Sequence, residues 1–506
     1  MSLLALSTEM DMRIIGYLDK ISLIRMARVS KYYQSICERT LYKTIKINPR
    51  ETPHGLRVLL LTLLRRKKLR LLVQRISVSL PEPHQGISDP NYRDISYPED
   101  PKGSHLYDQL WKHVVEIRDA IDALVLHQLA CTQEKTIWLS KIFEPYPLFD
   151  GTLSLILCWA TNLRTLHMEL CLDHPLRMTR HILQDIDWDS SEPSKTGRPF
   201  AKLQSLSLQG KGLSTVPLEL MVLPNMKHLV VEGVSSPTAL LVCPQHIETG
   251  NLRKIKLANV NINPEIITQA IQNSRYRDLT CLYLKGVGCN PWEEGGSWEV
   301  YDYRKLKLAM LENLPLLQDF SWQKMECNDD PDFTAFGSFA EFKNLLFLSI
   351  DLHLLTAIRP EKTPGDKTPF LEELRQNLPS KLRSLRLFNI RFATVRALYA
   401  DYSALRNIEK VAVLNEFVHA INSHSIQDLA LWIRFQRFWQ VRDAQTGIAR
   451  YERQINVCVS VMEFLQAAAD AMDYKVRLDF VYVMHPALRE KLIDLGFDVR
   501  EYCKME

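Results

Sequence analysis

Apolar residues along this chain recur in one short phrase, apolar-x-x-apolar-x-apolar. It appears at Leu163/Leu166/Met168, Leu203/Leu206/Leu208, Met226/Leu229/Val231, Leu252/Ile255/Leu257 and Leu279/Leu282/Leu284. Looser copies follow at Leu317/Phe320/Trp322, Leu345/Leu348/Ile350, Leu382/Leu385/Leu387 and Ile408/Val411/Val413, with an early copy at Val73/Ile76/Val78. From Leu166 to Val411 the central residues of successive copies lie 40, 23, 26, 27, 38, 28, 37 and 26 residues apart. Side chains alternate along a strand, so the last two apolar positions of each copy share one face. The first apolar position closes the turn into the strand from the same side. Segments between the copies carry helical spacing instead: Pro264-Glu-Ile266-Ile267-Thr-Gln-Ala270-Ile271, Leu153-Ser-Leu155-Ile156-Leu157-Cys-Trp159-Ala160 and Phe370-Leu371-Glu-Glu-Leu374-Arg-Gln-Asn-Leu378.

A strand followed by a helical return at a period of 23–40 residues is the arrangement of a leucine-rich repeat. The copies lack the Asn or Cys of the stricter consensus, so the expected fold is α/β, an irregular solenoid of parallel strands with helical returns. The alternative is a set of unrelated βαβ units, whose strands read as β-branched runs without a fixed leucine phase. Length favours an array as well, because a single core stops growing near ~250–300 residues and this chain has 506. Four parts are expected: a helical head over 1–47, a linking helix and first repeat strand over 48–80, a flexible loop over 81–105, and the solenoid over 106–506 with a helical cap at its end. The loop reading rests on the five prolines, with Asp, Asn and Ser, of 81–103. Polar, turn-rich insertions over 185–199 and 360–368 and shorter excursions over 290–298 and 328–333 break the rhythm.

Composition changes the picture little. At 46% hydrophobic, 24% charged and 9% aromatic the chain reads as globular. No apolar run approaches the ~20 residues of a membrane span, and no signal peptide opens the sequence, so a cytoplasmic or nuclear location is expected, with no membrane partner. The ten cysteines form no CxxC pair, which points to reduced thiols. Charge is uneven, however. Residues 1–80 hold 16 Lys and Arg against 5 Asp and Glu, a net +11, which leaves −7 on the other 426 residues. The run Arg65-Arg66-Lys67-Lys68 followed by Arg70 reads as the cationic end of a helix, ahead of a nuclear-targeting or phosphate-binding role.

The head predicts three short helices. Thr8 with Asp11 offers a capping box for the first, through Leu18, with Met10, Ile14, Ile15 and Leu18 as its apolar stripe. Asp19 breaks that helix, and Ser22 caps a second over 23–29 with Leu23, Met26 and Ala27 apolar. The third, over 31–41, buries Tyr32 or Tyr33, Ile36 and Leu41. About forty residues are too few for an independent core, so part of this apolar surface is expected to meet a partner or the following domain.

At this point the sequence resembles the F-box proteins, above all the F-box-like proteins of filamentous fungi. The matching residues are Leu6, Glu9, Ile14, Tyr17-Leu18-Asp19, Leu23, Met26-Ala27, Val29-Ser30-Lys31 and Tyr33, then Leu41-Tyr42 and Ile45. The next stretch is similar too: Leu59-Leu60-Leu61-Thr62-Leu63-Leu64, a basic turn, and Val73-Gln74-Arg75-Ile76-Ser77-Val78. The family's early proline is Ser7 here, a residue able to cap the first helix. The resemblance implies a non-catalytic substrate-recognition subunit of a Skp–cullin–F-box ubiquitin ligase. It would bind a Skp-type adaptor, and through it a cullin, by Leu6, Ser7, Ile14, Ile15, Leu18, Leu23, Met26 and Val29. The repeats would hold a protein substrate, with no cofactor and no nucleic acid. The alternative is a leucine-rich-repeat interaction scaffold without a ligase.

Sequence signs of enzyme chemistry are thin. No GxxxxGK[ST], HExxH or GxSxG motif occurs. Cys171-x-x-His174 and Cys243-x-x-His246 have zinc-like spacing, but neither belongs to a matched four-ligand set. The acidic doublets Glu293-Glu294 and Asp329-Asp330 read as solvated loop residues. Trp432, Phe435, Phe438 and Trp439, interleaved with Arg434, Arg437 and Arg442, are expected to form one helix face sealing the last repeats. No catalytic residue, substrate-binding residue or metal ligand is assigned, and the chain is expected not to be an enzyme.

Overall fold

A computed structural model describes residues 7–48, 55–79, 105, 108–126, 149–169, 200–213, 223, 225–234, 251–258, 264–273, 276–287, 302–324, 335–355, 368–391, 426–434, 475–481, 493 and 498–500. Two compact units divide the chain: Met1–Ile255 with Asn273–Arg275, and Lys256–Gln272 with Tyr276–Glu506.

The first unit opens with three helices, α1 (Thr8–Gly16), α2 (Lys20–Met26) and α3 (Lys31–Lys43), and then strand β1 (Thr44–Ile47). Helix α4 (Gly55–Arg65) and a 3-10 turn, Lys67–Leu72, lead to β2 (Arg75–Ser79). After the helices Val114–Leu126 and Phe149–Trp159 come β3 (Thr165–Glu169), β4 (Ser205–Leu213) and β5 (His228–Val234). Strands β1 to β5 pair in chain order and all parallel. The unit boundary falls inside β6 (Lys254–Ala258).

The second unit carries β7 (Cys281–Val287), β8 (Asp319–Lys324), β9 (Phe347–Asp351), β10 (Ser384–Arg391), β11 (Asp428–Arg434), β12 (Lys475–Val481) and β13 (Asp498–Arg500). These too pair in chain order and all parallel. Its helices include Pro264–Asn273, Tyr303–Asn313 and Thr368–Asn377. The fold is therefore α/β with an open, all-parallel sheet.

The repeated phrase explains the register. Ile45, Ile76, Leu166, Leu206 and Leu229 stand opposite one another across β1 to β5, and Ile47, Val78, Met168, Leu208 and Val231 do the same two residues on. In the second unit Leu282, Phe320, Leu348, Leu385, Leu429 and Val476 form one row, and Leu284, Trp322, Ile350, Leu387, Leu431 and Leu478 the next. A slip of one residue would turn every one of these side chains to the other face. Residues between them lie on the opposite face and are mostly polar, such as Ser77, His167 and Ser207. One covered face and one polar face give alternating strands rather than the continuous apolar runs of a doubly wound sheet.

The two-residue gap inside the phrase also has a cause. The carbonyl of the residue after the first apolar position accepts two amides from the next strand's turn. Gln74 O takes Arg164 N and Thr165 N, Arg164 O takes Gln204 N and Ser205 N, and Gln204 O takes Lys227 N and His228 N. In the second unit Thr280, Gln318 and Leu346 do the same. The amide of the first apolar residue itself closes a turn on a carbonyl three residues earlier, as in Leu163 to Ala160, Leu203 to Phe200 and Leu279 to Tyr276. Each of those earlier residues is buried, so the phrase has a further apolar position. Asparagines tie neighbouring turns together: Asn162, Asn225 and Asn344 donate through Nδ2 to the carbonyls of Leu71, Ala201 and Pro315, at 2.6, 2.7 and 2.9 Å.

Several expectations are corrected. The first helix is capped by Ser7, not Thr8, and ends at Gly16. Asp19 does not merely break the chain but caps α2, which begins three residues before the expected 23 and ends at Met26. Trp432 and Arg434 belong to β11, not to a helix, because pairing with β10 overrides the helical spacing of the aromatic residues. The remaining aromatic residues of that stripe, the copy at Ile408/Val411/Val413 and the loop read over 81–103 lie outside the described residues.

Candidate interaction surface

The three head helices are set by their caps. Ser7 accepts from Met10 N, Asp19 Oδ1 from Ser22 N at 2.7 Å, and Ser30 Oγ from Tyr33 N at 3.2 Å, each satisfying an amide that the helix leaves unpaired. The Ser22 backbone amide, then its hydroxyl, hold the Asp19 carboxyl below its ordinary range. On α1 the residues Asp11 and Ile15 turn inward at i and i+4, and Leu18, just past the helix end, follows them. Ile15 packs with Leu23 of α2 and Tyr33, Ile36 and Cys37 of α3, while Leu18, Met26, Ala27 and Leu41 seal the edge of this cluster. Buried Asp11 accepts a 2.8 Å hydrogen bond from the Tyr32 hydroxyl, fixing which side of α1 faces α3.

That choice leaves a second apolar stripe outside. Met10, Ile14 and Tyr17, again at i, i+4 and i+7, are exposed, and Tyr17 is 91% exposed. Ile21 and Ile24 on α2 and Val29 after it are exposed as well, Val29 to 72%. Half of the exposed large hydrophobic side chains among the described residues fall between Met10 and Tyr32. Such density marks an interaction face rather than ordinary scatter.

The expected adaptor residues thus separate. Ile14 and Val29 lie on the outer surface, and Ser7 is exposed at the helix start. Leu18 and Met26 are half-buried at the core's rim. Ile15 and Leu23 are enclosed by the chain's own helices, at 1% and 5% exposure. Leu6 lies outside the described residues. Tyr17, Ile21 and Ile24 extend this outer surface beyond the expected residues; their signal in the sequence is that they are apolar yet off the phase of Ile15 and Leu23.

The basic run is largely used within the unit. Arg66 Nη1 and Nη2 grip both oxygens of Glu38 at 2.5 Å, and Gln34 Nε2 adds a third bond. Arg65 donates to Gln109 at 2.7 Å. Arg70 donates from Nε to the Leu63 carbonyl and lies 3.8 Å over the Trp159 ring. Hydrogen bonding from Arg66 holds the Glu38 carboxyl below its ordinary value despite partial burial. A carboxyl with a lowered folded pKa gives stability that is full above the unfolded value and lost as pH falls through the folded one. Glu38→Gln should therefore lower stability by about 1–2 kcal/mol at pH 7, a figure reduced for the solvent around Arg66. Melting curves of both proteins should converge as pH drops below the ordinary glutamate range; a gap that stays constant to pH 3 would refute the pairing.

Cys37 and Cys158 are free thiols, and burial pushes both up, away from reactive thiolate. Among the described residues no group of three His, Cys, Asp or Glu side chains could hold a metal ion, and no helix is long and apolar enough to cross a membrane. Both Cys-x-x-His pairs and both acidic doublets lie outside the described residues. No protein-family model and no curated protein matches the sequence.

Proposed function

We propose that this chain is the substrate receptor of a Skp–cullin–F-box ubiquitin ligase. Helices α1 to α3 are its F-box and dock a Skp-type adaptor, while the parallel strands with helical returns are an irregular leucine-rich-repeat solenoid that holds the target. The observation that carries this reading is the outer stripe of Met10, Ile14 and Tyr17, with Ile21, Ile24 and Val29, on a head whose inner face is already closed by Ile15 and Leu23. The receptor is not itself an enzyme. It raises the local concentration of a target lysine near chemistry performed by other subunits.

The test is co-purification of the full chain with a Skp-type adaptor, using Ile14→Asp combined with Val29→Asp. Both side chains are solvent-exposed, so the doubly substituted protein should melt like the parent while losing adaptor binding by about a hundredfold or more, as charges placed in an apolar interface do. Adaptor binding that survives the double substitution, or a parent chain that retains none, would overturn the proposal in favour of a scaffold without a ligase.

A further inference from the structure

The second charge feature lies on the sheet. Where each strand of the first unit begins, successive chain segments bring Lys43, Arg75, Arg164, Lys202, Lys227, Arg253 and Lys254 to one end of the ladder. The segments 41–44, 72–75, 162–165, 202–205, 225–228 and 251–254 contain no Asp or Glu. At the other end of the strands stand Glu169 and Glu232. The corresponding turns of the second unit mix signs, with Asp278, Asp319 and Asp428 among their cations.

Hydrogen bonding fixes the placement. Lys43, Gln74, Arg164, Gln204 and Lys227 occupy equivalent positions, linked carbonyl to amide from Gln74 N on Lys43 O to Arg253 N on Lys227 O. Beside them Thr44, Arg75, Thr165, Ser205 and His228 stand in register. Among the described residues the side chains of Lys43, Arg75, Arg164, Lys227 and Lys254 make no hydrogen bond or ion pair, and Lys202 donates only to neutral Asn162, at 2.6 Å. Partial desolvation, then the neighbouring cations Lys254, Lys227 and Arg253, lower the pKa of His228. Cations gathered along one end of a sheet with no acidic residue among them attract an anion from outside.

We propose that this strand-start ladder of the first unit binds an extended polypeptide segment rich in carboxylate or phosphate groups. Neighbouring strands are ~4.8 Å apart, so five steps from β1 to β6 span ~24 Å, the reach of about seven extended residues. Between the cations stand Gln74, Thr165, Gln204 and Ser205, side chains suited to a peptide backbone. No exposed Phe, Tyr or Trp side chain stands among these residues to stack bases, as single-stranded nucleic acid binding uses, and the face of Trp159 is covered by Arg70. The role of the bound segment as a ligase target rests on the receptor reading. The binding does not.

The experiment uses the full chain without adaptor and fluorescence anisotropy of labelled ten-residue peptides: one rich in glutamate, one carrying phosphoserines, and a glutamine–serine control. At least one anionic peptide should bind, the control should not, and affinity should fall with added salt. The triple reversal Arg164→Glu, Lys227→Glu and Lys254→Glu should weaken that binding about tenfold or more, while reversal of exposed Arg304 and Lys305 in the second unit should leave it unchanged. Should the reversal melt the sheet, the triple Gln variant reads the same loss. Which peptide binds separates carboxylate from phosphate recognition. Equal binding by the variant, no binding of either anionic peptide at low salt, or tighter binding of oligodeoxythymidylate than of both peptides would overturn the proposal. None of these outcomes bears on adaptor docking, which is measured at the helical head.

Discussion

Trp322→Ala should cost the second unit about 3–5 kcal/mol, the range for deleting a fully enclosed tryptophan. Trp322 is 0% exposed on β8, beside Phe320. Tyr303 meets its ring edge-on at 5.3 Å and Phe336 does so at 5.7 Å; Phe320 in turn meets Phe336 at 5.8 Å and stacks on Phe339 at 5.6 Å. These rings belong to β8, to the helix Tyr303–Asn313 and to the segment ahead of β9, so one side chain ties three stretches together. Backbone bonds extend the same knot: Phe336 N donates to Leu354 O and Phe339 N to Asn377 O, while Asn377 Nδ2 donates to Leu355 O. Removing the indole leaves a void that the surrounding rings cannot fill without leaving their rotamers.

A companion substitution separates packing from polarity. Trp322 Nε1 is buried with no hydrogen-bond partner among the described residues, and an unpaired buried donor carries a desolvation cost of about 1–3 kcal/mol. Trp322→Phe removes that donor and keeps a ring, so its net effect should stay below about 1.5 kcal/mol. Hydrogen exchange at the β7, β8 and β9 amides of the full chain reads both variants. A loss under about 1 kcal/mol for the alanine variant, or equal losses for both, would show that the aromatic knot is not what holds these strands.

The strands were legible in the sequence to the extent that one residue pattern dictates both burial and register. Leu206 and Leu208, or Leu385 and Leu387, are two apart in sequence, and a pleated strand puts them on one face whatever lies between the copies. What followed each strand was less legible. The helices at Pro264, Leu153 and Phe370 show an apolar spacing of three and four, whereas Tyr303–Asn313 alternates Lys and Arg with Leu so closely that its buried residues, Tyr303, Leu306, Ala309 and Met310, emerge only once β8 is in place. Strand β11 was hidden for the opposite reason. Its phrase Ile426-Gln-Asp-Leu429-Ala-Leu431 fits the repeat, but the aromatic residues beginning at Trp432 carry a competing helical period, and only pairing with β10 decides between the two. The basic ladder was invisible because its members are scattered from Lys43 to Lys254 and meet only through the stacking of strands.

Ile15→Ala should destabilise the helical head by about 2–4 kcal/mol, whereas Ile14→Ala should change its stability by less than about 0.5 kcal/mol. The two residues are adjacent and chemically identical, and the sequence placed both in one stripe. In the fold a 100° turn of α1 separates them: Ile15, at 1% exposure, touches the cluster of Leu23, Tyr33, Ile36 and Cys37, while Ile14 remains 39% exposed. The rotation of α1 is pinned by Asp11, whose buried carboxylate needs the Tyr32 hydroxyl. Turning the helix to bury Ile14 would break that bond and carry Ile15 into water. The pair therefore divides stability from recognition at a single point of the chain. Hydrogen exchange of the α1 and α3 amides checks the first effect and adaptor affinity the second. Equal destabilisation by the two substitutions would mean that α1 faces α3 differently, and the outer stripe on which adaptor docking rests would no longer exist.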